Sequence, residues 1–305
     1  MRVSVIIPVY NAVEYLREAV ESVLCENGRF VLEVILVEDG SRDGSLTLCR
    51  ELVKEYPHQV MLHRHSNGEN RGAGASRNLG IQKAKGDLIT FLDADDYWLP
   101  KRLDEVIPMF ENSPEVDGVY DLARYHFDER SIFPDEFDAD ALLGLSMRGV
   151  EPDELLSVML ETSRQWTTNN IVVRRNVFER VGYFNPDLRL HQDSELWLRM
   201  ALKLRLLQSP CFRPTTVYRV HGNSRFFNHV KKCKEKAELR WYHRRLMYDS
   251  ICDWIARNDI PRAKSSKLVQ KIVLAFSRHR EFSRAWSLGR DRKSTRLNSS
   301  HYRTS

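Results

Sequence analysis

The first 110 residues change their hydrophobic period repeatedly, and this limits the folds open to the chain. Val3–Val9 is apolar apart from Ser4 and Pro8, as a strand buried on both faces would be. From Tyr15 the apolar positions become Leu16, Ala19, Val20, Val23 and Leu24, the spacing of one helix face. A second strand-like run, Val31–Val37, gives way to Leu46, Cys49, Leu52, Val53 and Tyr56, again at helical spacing. Val60–Leu62 opens a short third strand, Ala75–Lys85 reads as a third helix and Asp87–Leu92 as a fourth strand. Strand–helix alternation with short links calls for an α/β fold, its mostly parallel sheet joined by right-handed crossovers.

In such sheets ligands bind at the carboxyl ends of the strands. Tyr10-Asn11, Glu38-Asp39 and Asp93-Ala94-Asp95 all fall there. The run Ile89–Asp96 places three carboxylates within four positions of a strand end. Like charges repel, and each loses hydration when crowded. A divalent cation removes that cost. A hard cation held by one or two Asp keeps waters and takes a phosphate on its far side. Taken alone, an Asp-x-Asp is more often a solvated acidic loop than a metal site. The loop Asn70–Asn78 opens a helix on the same rim. Its glycines permit close backbone approach, and a helix N-terminus attracts anions. Arg77 is placed to pair with a phosphate.

Beyond this half the signal weakens. From Glu111 to about Trp166 periodicity is poor, and the region reads as loop-rich. It holds an acidic patch at Asp135, Glu136, Asp138 and Asp140 and one short helix around Leu155, Leu156, Met159 and Leu160. Thr168–Arg175 reads as a strand and Asn176–Val181 as a helix. His191–Arg199 opens another helix, whose apolar face (Leu196, Trp197, Met200, Ala201, Leu204) makes Trp197 a core residue. Asp193 by itself reads as a helix cap, and a single His such as His221 as a structural residue.

Composition excludes several classes. Five scattered cysteines without a Cys-x-x-Cys pair indicate neither a zinc site nor a disulfide framework. The N-terminal apolar run is too short for a signal sequence, and no segment reaches the ~20 apolar residues of a membrane span. The expectation is a cytoplasmic protein. The net charge of +5 hides an asymmetry: residues 1–230 carry 27 basic and 35 acidic residues, residues 231–305 carry 20 and 7. Residues 231–256 are helical in period, with Trp241, Tyr242 and Trp254 among Lys and Arg. This suits either a helix packed on the main domain or one lying peripherally on an anionic membrane surface. It carries no nucleic-acid-binding motif, so nucleic acid is not an expected partner.

These motifs, in this order, resemble a family-2 glycosyltransferase of the inverting GT-A type. The matching pieces are Val3–Asn11, Val37–Ser45, Asn70–Gly80, Phe91–Asp96 and, later, Gln192–Arg199, so the resemblance covers roughly residues 1–225. It implies a Rossmann-like nucleotide-diphospho-sugar transferase fold, extended by a C-terminal helical segment. The resemblance also implies roles. Pro8, Tyr10, Glu38 and Asp39 line the nucleotide site, with Tyr10 packing on the base and Asp39 accepting a base N–H. Arg77 touches phosphate, Asp93 and Ala94 lie at the ribose, and Asp95, with Asp93 and His221, holds Mn²⁺ or Mg²⁺. Asp193 is the catalytic base. Two departures stand out. Glu38-Asp39 replaces a common Asp-Asp, and Gln192-Asp193 replaces a common Glu-Asp, removing a like charge beside the base.

The implied reaction moves a sugar from a nucleotide-diphosphate donor, a UDP-sugar favoured, to a saccharide or lipid-linked acceptor in cell-surface polysaccharide synthesis. Trp98 and Trp166 are candidate acceptor contacts or core residues. A sugar nucleotidylyltransferase is the alternative enzyme, although its glycine-rich triphosphate loop has no counterpart at Tyr10–Val13. A non-catalytic scaffold is the alternative from another class. The expected organisation is a nucleotide-sugar half (1–110), an acceptor and catalytic half of the same domain (111–228), a basic helical segment (229–289) and a tail (290–305). Lys293–His301 in that tail resembles translated adaptor sequence and is expected to be non-native.

Overall fold

The computed structural model describes residues 1–26, 30–127, 142–143, 150–162, 165–211, 213–222, 237–262, 264–266, 268–272 and 274. The acidic patch at 135–140 and the tail at 290–305 lie outside them. Contacts divide the chain into two units, Met1–Asp253 and Trp254–Ser305. The elements described below belong to the first, except that the last helix ends within the second.

The alternation read in the sequence is present, element by element. Strand β1 (Arg2–Val9) leads to helix α1 (Leu16–Leu24), β2 (Val31–Glu38), α2 (Ser45–Glu55), β3 (Val60–Arg64), α3 (Ala73–Lys83) and β4 (Leu88–Phe91). β1 pairs in parallel with β2 and β4, and β2 with β3. Val3, Val5, Ile6, Ile7 and Val9 are all fully buried, which explains why β1 reads as continuous apolar sequence rather than as alternation. Helix α1 turns Leu16, Ala19, Val20 and Val23 into the same core.

Among the described residues, the middle of the chain carries elements that the poor periodicity did not show. β5 (Tyr97–Trp98) precedes helix α4 (Arg102–Asn112), which carries Pro108 inside it. Two strands follow, β6 (Gly118–Tyr120) and β7 (Leu122–Phe127), then the two-residue β8 (Leu142–Leu143) and helix α5 (Leu155–Thr162). The last part contains β9 (Ile171–Arg174), α6 (Val177–Val181), α7 (Gln192–Lys203), β10 (Leu206–Gln208), β11 (Pro214–Val220) and the long helix α8 (Ala237–Arg257).

These complete a seven-stranded sheet in the order β10-β6-β9-β4-β1-β2-β3. Only β9 runs against the others, wedged between β4 and β6. Residues 168–170, expected as its start, form instead a tight turn of buried polar side chains. A second sheet, β5-β11-β7-β8, stands beside the end of β4. It brings β11, more than a hundred residues away in sequence, against the acidic loop. Helix α8 turns Met247 and Ile251 inward and leaves Tyr242 about half exposed. None of the described helices is long and apolar enough to cross a membrane.

Candidate active site

At the end of β2, the sheet spends its carboxylates on its own loops. Glu38 is fully buried, accepts the Ser41 N–H and pairs with Arg64 Nε at 2.7 Å. Burial alone would raise its pKa, but the Ser41 N–H and the Arg64 guanidinium outweigh that and hold it below the ordinary range. Asp39 accepts the backbone N–H groups of Arg71 (2.7 Å) and Gly72 (2.9 Å) through its two oxygens. The turn that opens α3 is thereby tied to the end of β2. His65 stands 3.7 Å from Asp39 and 3.0 Å from the Ser76 hydroxyl. Gly40 holds φ +72°, and a Cβ there would meet the Gly68 carbonyl at 2.7 Å, so this corner requires glycine. Beside it, Pro8 is half-buried within β1 and Tyr10, just after it, is 41% exposed. Asn11 accepts the Arg42 N–H at 2.8 Å and joins the two loops.

The end of β4 is arranged differently. Asp93 donates its N–H to the Asn169 side chain (2.8 Å), and its carboxylate pairs with Arg77. Arg77 is almost buried, lies over the Phe184 ring at 5.5 Å, and thus meets Asp93 rather than open rim. Ala94 is buried. Asp96 is buried too and accepts the Arg219 N–H (2.7 Å) and the Asn169 amide. Burial, followed by the charges of Asp95 and Asp93, pushes its pKa well above the ordinary carboxylate range. Asp93 keeps 31% of its side chain exposed but pairs with Arg77, whereas Asp95 has no cationic Arg or Lys partner among the described residues. The Asp95 side chain is 35% exposed, and its protein partner among the described residues is His221, with Nε2 3.1 Å from Oδ2.

That pair fits a divalent cation. Two ligands side by side on an octahedron with bonds of about 2.1 Å stand about 3 Å apart, close to the separation seen here. Among the described residues no group of three His, Cys, Asp or Glu closes a metal cage. A cation here would complete its shell with waters and donor phosphates, as Mg²⁺ commonly does.

The candidate base stands on α7. His191 adopts a left-handed conformation, φ +59°, just before the helix. The helix starts at Gln192, so Asp193 is its second residue and not its cap. Asp193 is half-buried and accepts the Ser194 N–H at 2.7 Å. Gln192 packs against the first turn of α3 so closely that a Cβ on Gly74 would lie 1.9 Å from its Oε1. The first turn of α7, which carries Asp193, therefore adjoins the helix opened by the turn that Asp39 holds. Two residues on, Glu195 forms a buried pair with Arg199, which also caps the Val181 and Tyr183 carbonyls. Ser250 of α8 donates to Glu195 at 3.0 Å and accepts from Asn185.

Trp98 and Trp166 are each 2% exposed. Trp166 stacks on Tyr120, and Trp98 lies under Arg102 at 4.5 Å, so both serve the core. Trp197 does the same against Phe184. Sequence reasoning missed Arg219, Tyr15 and Asn169, which surround the acidic loop. A faint signal existed for Arg219, since it precedes His221 by two residues along one strand direction.

An Asp95–His221 pair spaced to suit a cation, and a half-buried Asp193, on the rim of a mostly parallel α/β sheet fit a glycosyltransferase of the GT-A type. Residues 4–182 match the family described as Glycosyl transferase family 2, and the chain belongs to it. An uncharacterised glycosyltransferase of Nostoc sp. is 29% identical over 244 residues, 78% of this chain and 70% of the relative. Escherichia coli YibD, also an uncharacterised glycosyltransferase, is 27% identical over 82% of this chain and 77% of its own length. The chain spans only 36% of a Rickettsia felis relative. Among solved structures, Staphylococcus aureus TarS with UDP-GlcNAc superposes with a TM-score of 0.64 at 21% identity, covering 91% of this chain and 73% of that one. Mannosyltransferase PcManGT of Pyrobaculum calidifontis, with GDP-Man and Mn²⁺, gives 0.59 at 19% identity, covering 90% and 69%. At such identities these structures speak for the fold alone.

Proposed function

We propose that this glycosyltransferase is metal-dependent and inverting, and that it transfers a sugar from a UDP-sugar to a saccharide or lipid-linked acceptor of a cell-surface polysaccharide. The observation that carries the metal reading is the open Asp95 carboxylate 3.1 Å from His221 at the end of β4. Mn²⁺ or Mg²⁺ held there, with Asp93 beside it, would neutralise the leaving diphosphate. Tyr10, Asp39 and the loop it ties down form the nucleoside end, with Pro8, Glu38 and Ala94 fixing the backbone around it. Arg77 keeps Asp93 oriented and adds positive charge beneath the diphosphate. On this reading Asp193 takes the acceptor hydroxyl's proton as that oxygen attacks the anomeric carbon from the face opposite the leaving group. One displacement inverts the centre and needs no covalent nucleophile.

Residues 1–110 thus serve the donor, 111–228 the acceptor, and the basic 229–289 segment a cytoplasmic, anionic membrane surface where a lipid-linked acceptor resides. The UDP preference draws support from TarS, solved with UDP and UDP-GlcNAc. The polysaccharide context draws it from a Bacillus subtilis minor teichoic acid biosynthesis protein, GgaB, 37% identical over 118 residues, 38% of this chain and 13% of that one. A thermal-shift panel of nucleoside diphosphates with and without Mn²⁺ tests the reading. The expected result is a rise in Tm with UDP that requires Mn²⁺. A rise with GDP alone would reassign the donor, and no Mn²⁺-dependent rise with any diphosphate would overturn the metal reading.

A further inference from the structure

Arg219 touches almost everything that shapes the Asp95–His221 pair while leaving the pair's own ligand atoms alone. Its Nε–H donates to the backbone carbonyl of Asp95 at 3.1 Å, and its backbone N–H donates to the Asp96 carboxylate at 2.7 Å. Its terminal nitrogen pairs with Glu18 of α1. Its guanidinium lies 4.9 Å from the Tyr15 ring centre and 5.2 Å from that of Tyr97. The Tyr15 ring also lies against His221, with centroids 4.7 Å apart. The side chain is only 14% exposed. One cation thus fixes the backbone that carries Asp95, while the ring it packs on fixes His221.

We propose that Arg219, with Tyr15, is a positioning residue that sets the spacing of Asp95 and His221 for a divalent cation. The inference rests on the metal reading of that pair. Three carboxylates at 93, 95 and 96 repel one another, and the loop that bears them needs an external hold. A cation bonded to the Asp95 carboxylate itself would compete with the metal. Arg219 avoids this by spending its charge on Glu18 and one N–H on a main-chain carbonyl. Lysine cannot imitate it, because an ammonium lacks the planar fork that reaches two partners while lying on a ring.

Groups that orient metal ligands typically change metal affinity by about 10–100-fold when replaced. The test is a Mn²⁺ titration of the full chain at fixed UDP, read as bound Mn²⁺ by electron paramagnetic resonance. In Arg219→Lys the Mn²⁺ half-saturation should rise about tenfold or more, while UDP affinity at saturating Mn²⁺ stays near that of the wild type. Combined with Asp95→Asn, the Lys substitution should add no further loss, a non-additivity that a merely structural role would not produce. An unchanged half-saturation, or full additivity with Asp95→Asn, overturns the proposal. If Arg219→Lys fails to fold, Glu18→Gln decides, since that side chain is 54% exposed. A two- to threefold rise, on the order expected for a rim charge, supports the clamp, and no rise overturns it. Absence of Mn²⁺ binding in the wild type overturns the metal reading itself, a separate and recognisable outcome.

Discussion

At the end of β2, Glu38 and Asp39 are filled by protein donors: Arg64, the Ser41 N–H, and the N–H groups of Arg71 and Gly72. At the end of β4, Asp96 is filled in the same way and Asp93 is neutralised by Arg77 while staying 31% exposed, but Asp95, 35% exposed, has among the described residues only His221 as a side-chain partner. Both ends read alike in sequence, as apolar strands that stop at acidic residues. The difference lies in what approaches them. A carboxylate surrounded by backbone N–H groups builds a loop, whereas one left beside a lone imidazole has capacity for a cation. Chemistry is expected where the donors stop short.

The largest effect should fall on Asp193, a half-buried carboxylate on α7. Asp193→Asn should lower kcat by about 10²–10⁴-fold, the usual value of a general base, with UDP binding by calorimetry unchanged. Full transfer in that variant would remove it as the base. At the β2 end the expected loss is of stability. Gly40→Ala places a Cβ against the Gly68 carbonyl in left-handed backbone and should cost about 2–3 kcal/mol in urea unfolding. A neutral outcome would mean the 68–70 loop is not packed there.

Glu38→Gln should cost less, about 1–2 kcal/mol, since Arg64 is partly solvated. Its pH dependence has a definite sign. The folded pKa is depressed, so the contribution is present above the ordinary glutamate value of about 4.3 and disappears as pH falls through the lower folded value. The gap in Tm between wild type and Glu38→Gln should therefore close as the pH drops from about 5 towards 3. A gap that widens instead would contradict the burial and pairing described. Smallest is Ser250→Ala, which removes the hydroxyl joining α8 to Glu195 and should cost about 0.5–1.5 kcal/mol. It should lower Tm without changing the Mn²⁺ requirement.

The fold of the first 110 residues was legible because parallel strands buried on both faces cannot help reading as apolar runs, and their helices then show a different period. Tyr10, Asp39, Asp93 and Asp95 could be placed at strand ends from the pattern, whereas His221 and Asp193 read locally as structural residues and entered only through the family resemblance. Strand direction was not legible: nothing in Ile171–Arg174 tells that β9 runs against its neighbours. Strands of two or three residues, such as Tyr97–Trp98 and Gly118–Tyr120, are too short to show any period. Helix α4 was hidden by Pro108 in its interior. Partners far apart in sequence left no local trace. Arg219 meets Glu18 across 201 residues, and Arg77, expected on phosphate, meets Asp93 across 16.

The contrast between the two strand ends is tested most directly by calorimetric titration of UDP into Asp95→Asn and Asp39→Asn, each with and without Mn²⁺. Asp95→Asn should bind UDP weakly and equally in both conditions, whereas Asp39→Asn, however weakened, should still bind more tightly with Mn²⁺ than without. A Mn²⁺ dependence that survives in Asp95→Asn would contradict the account.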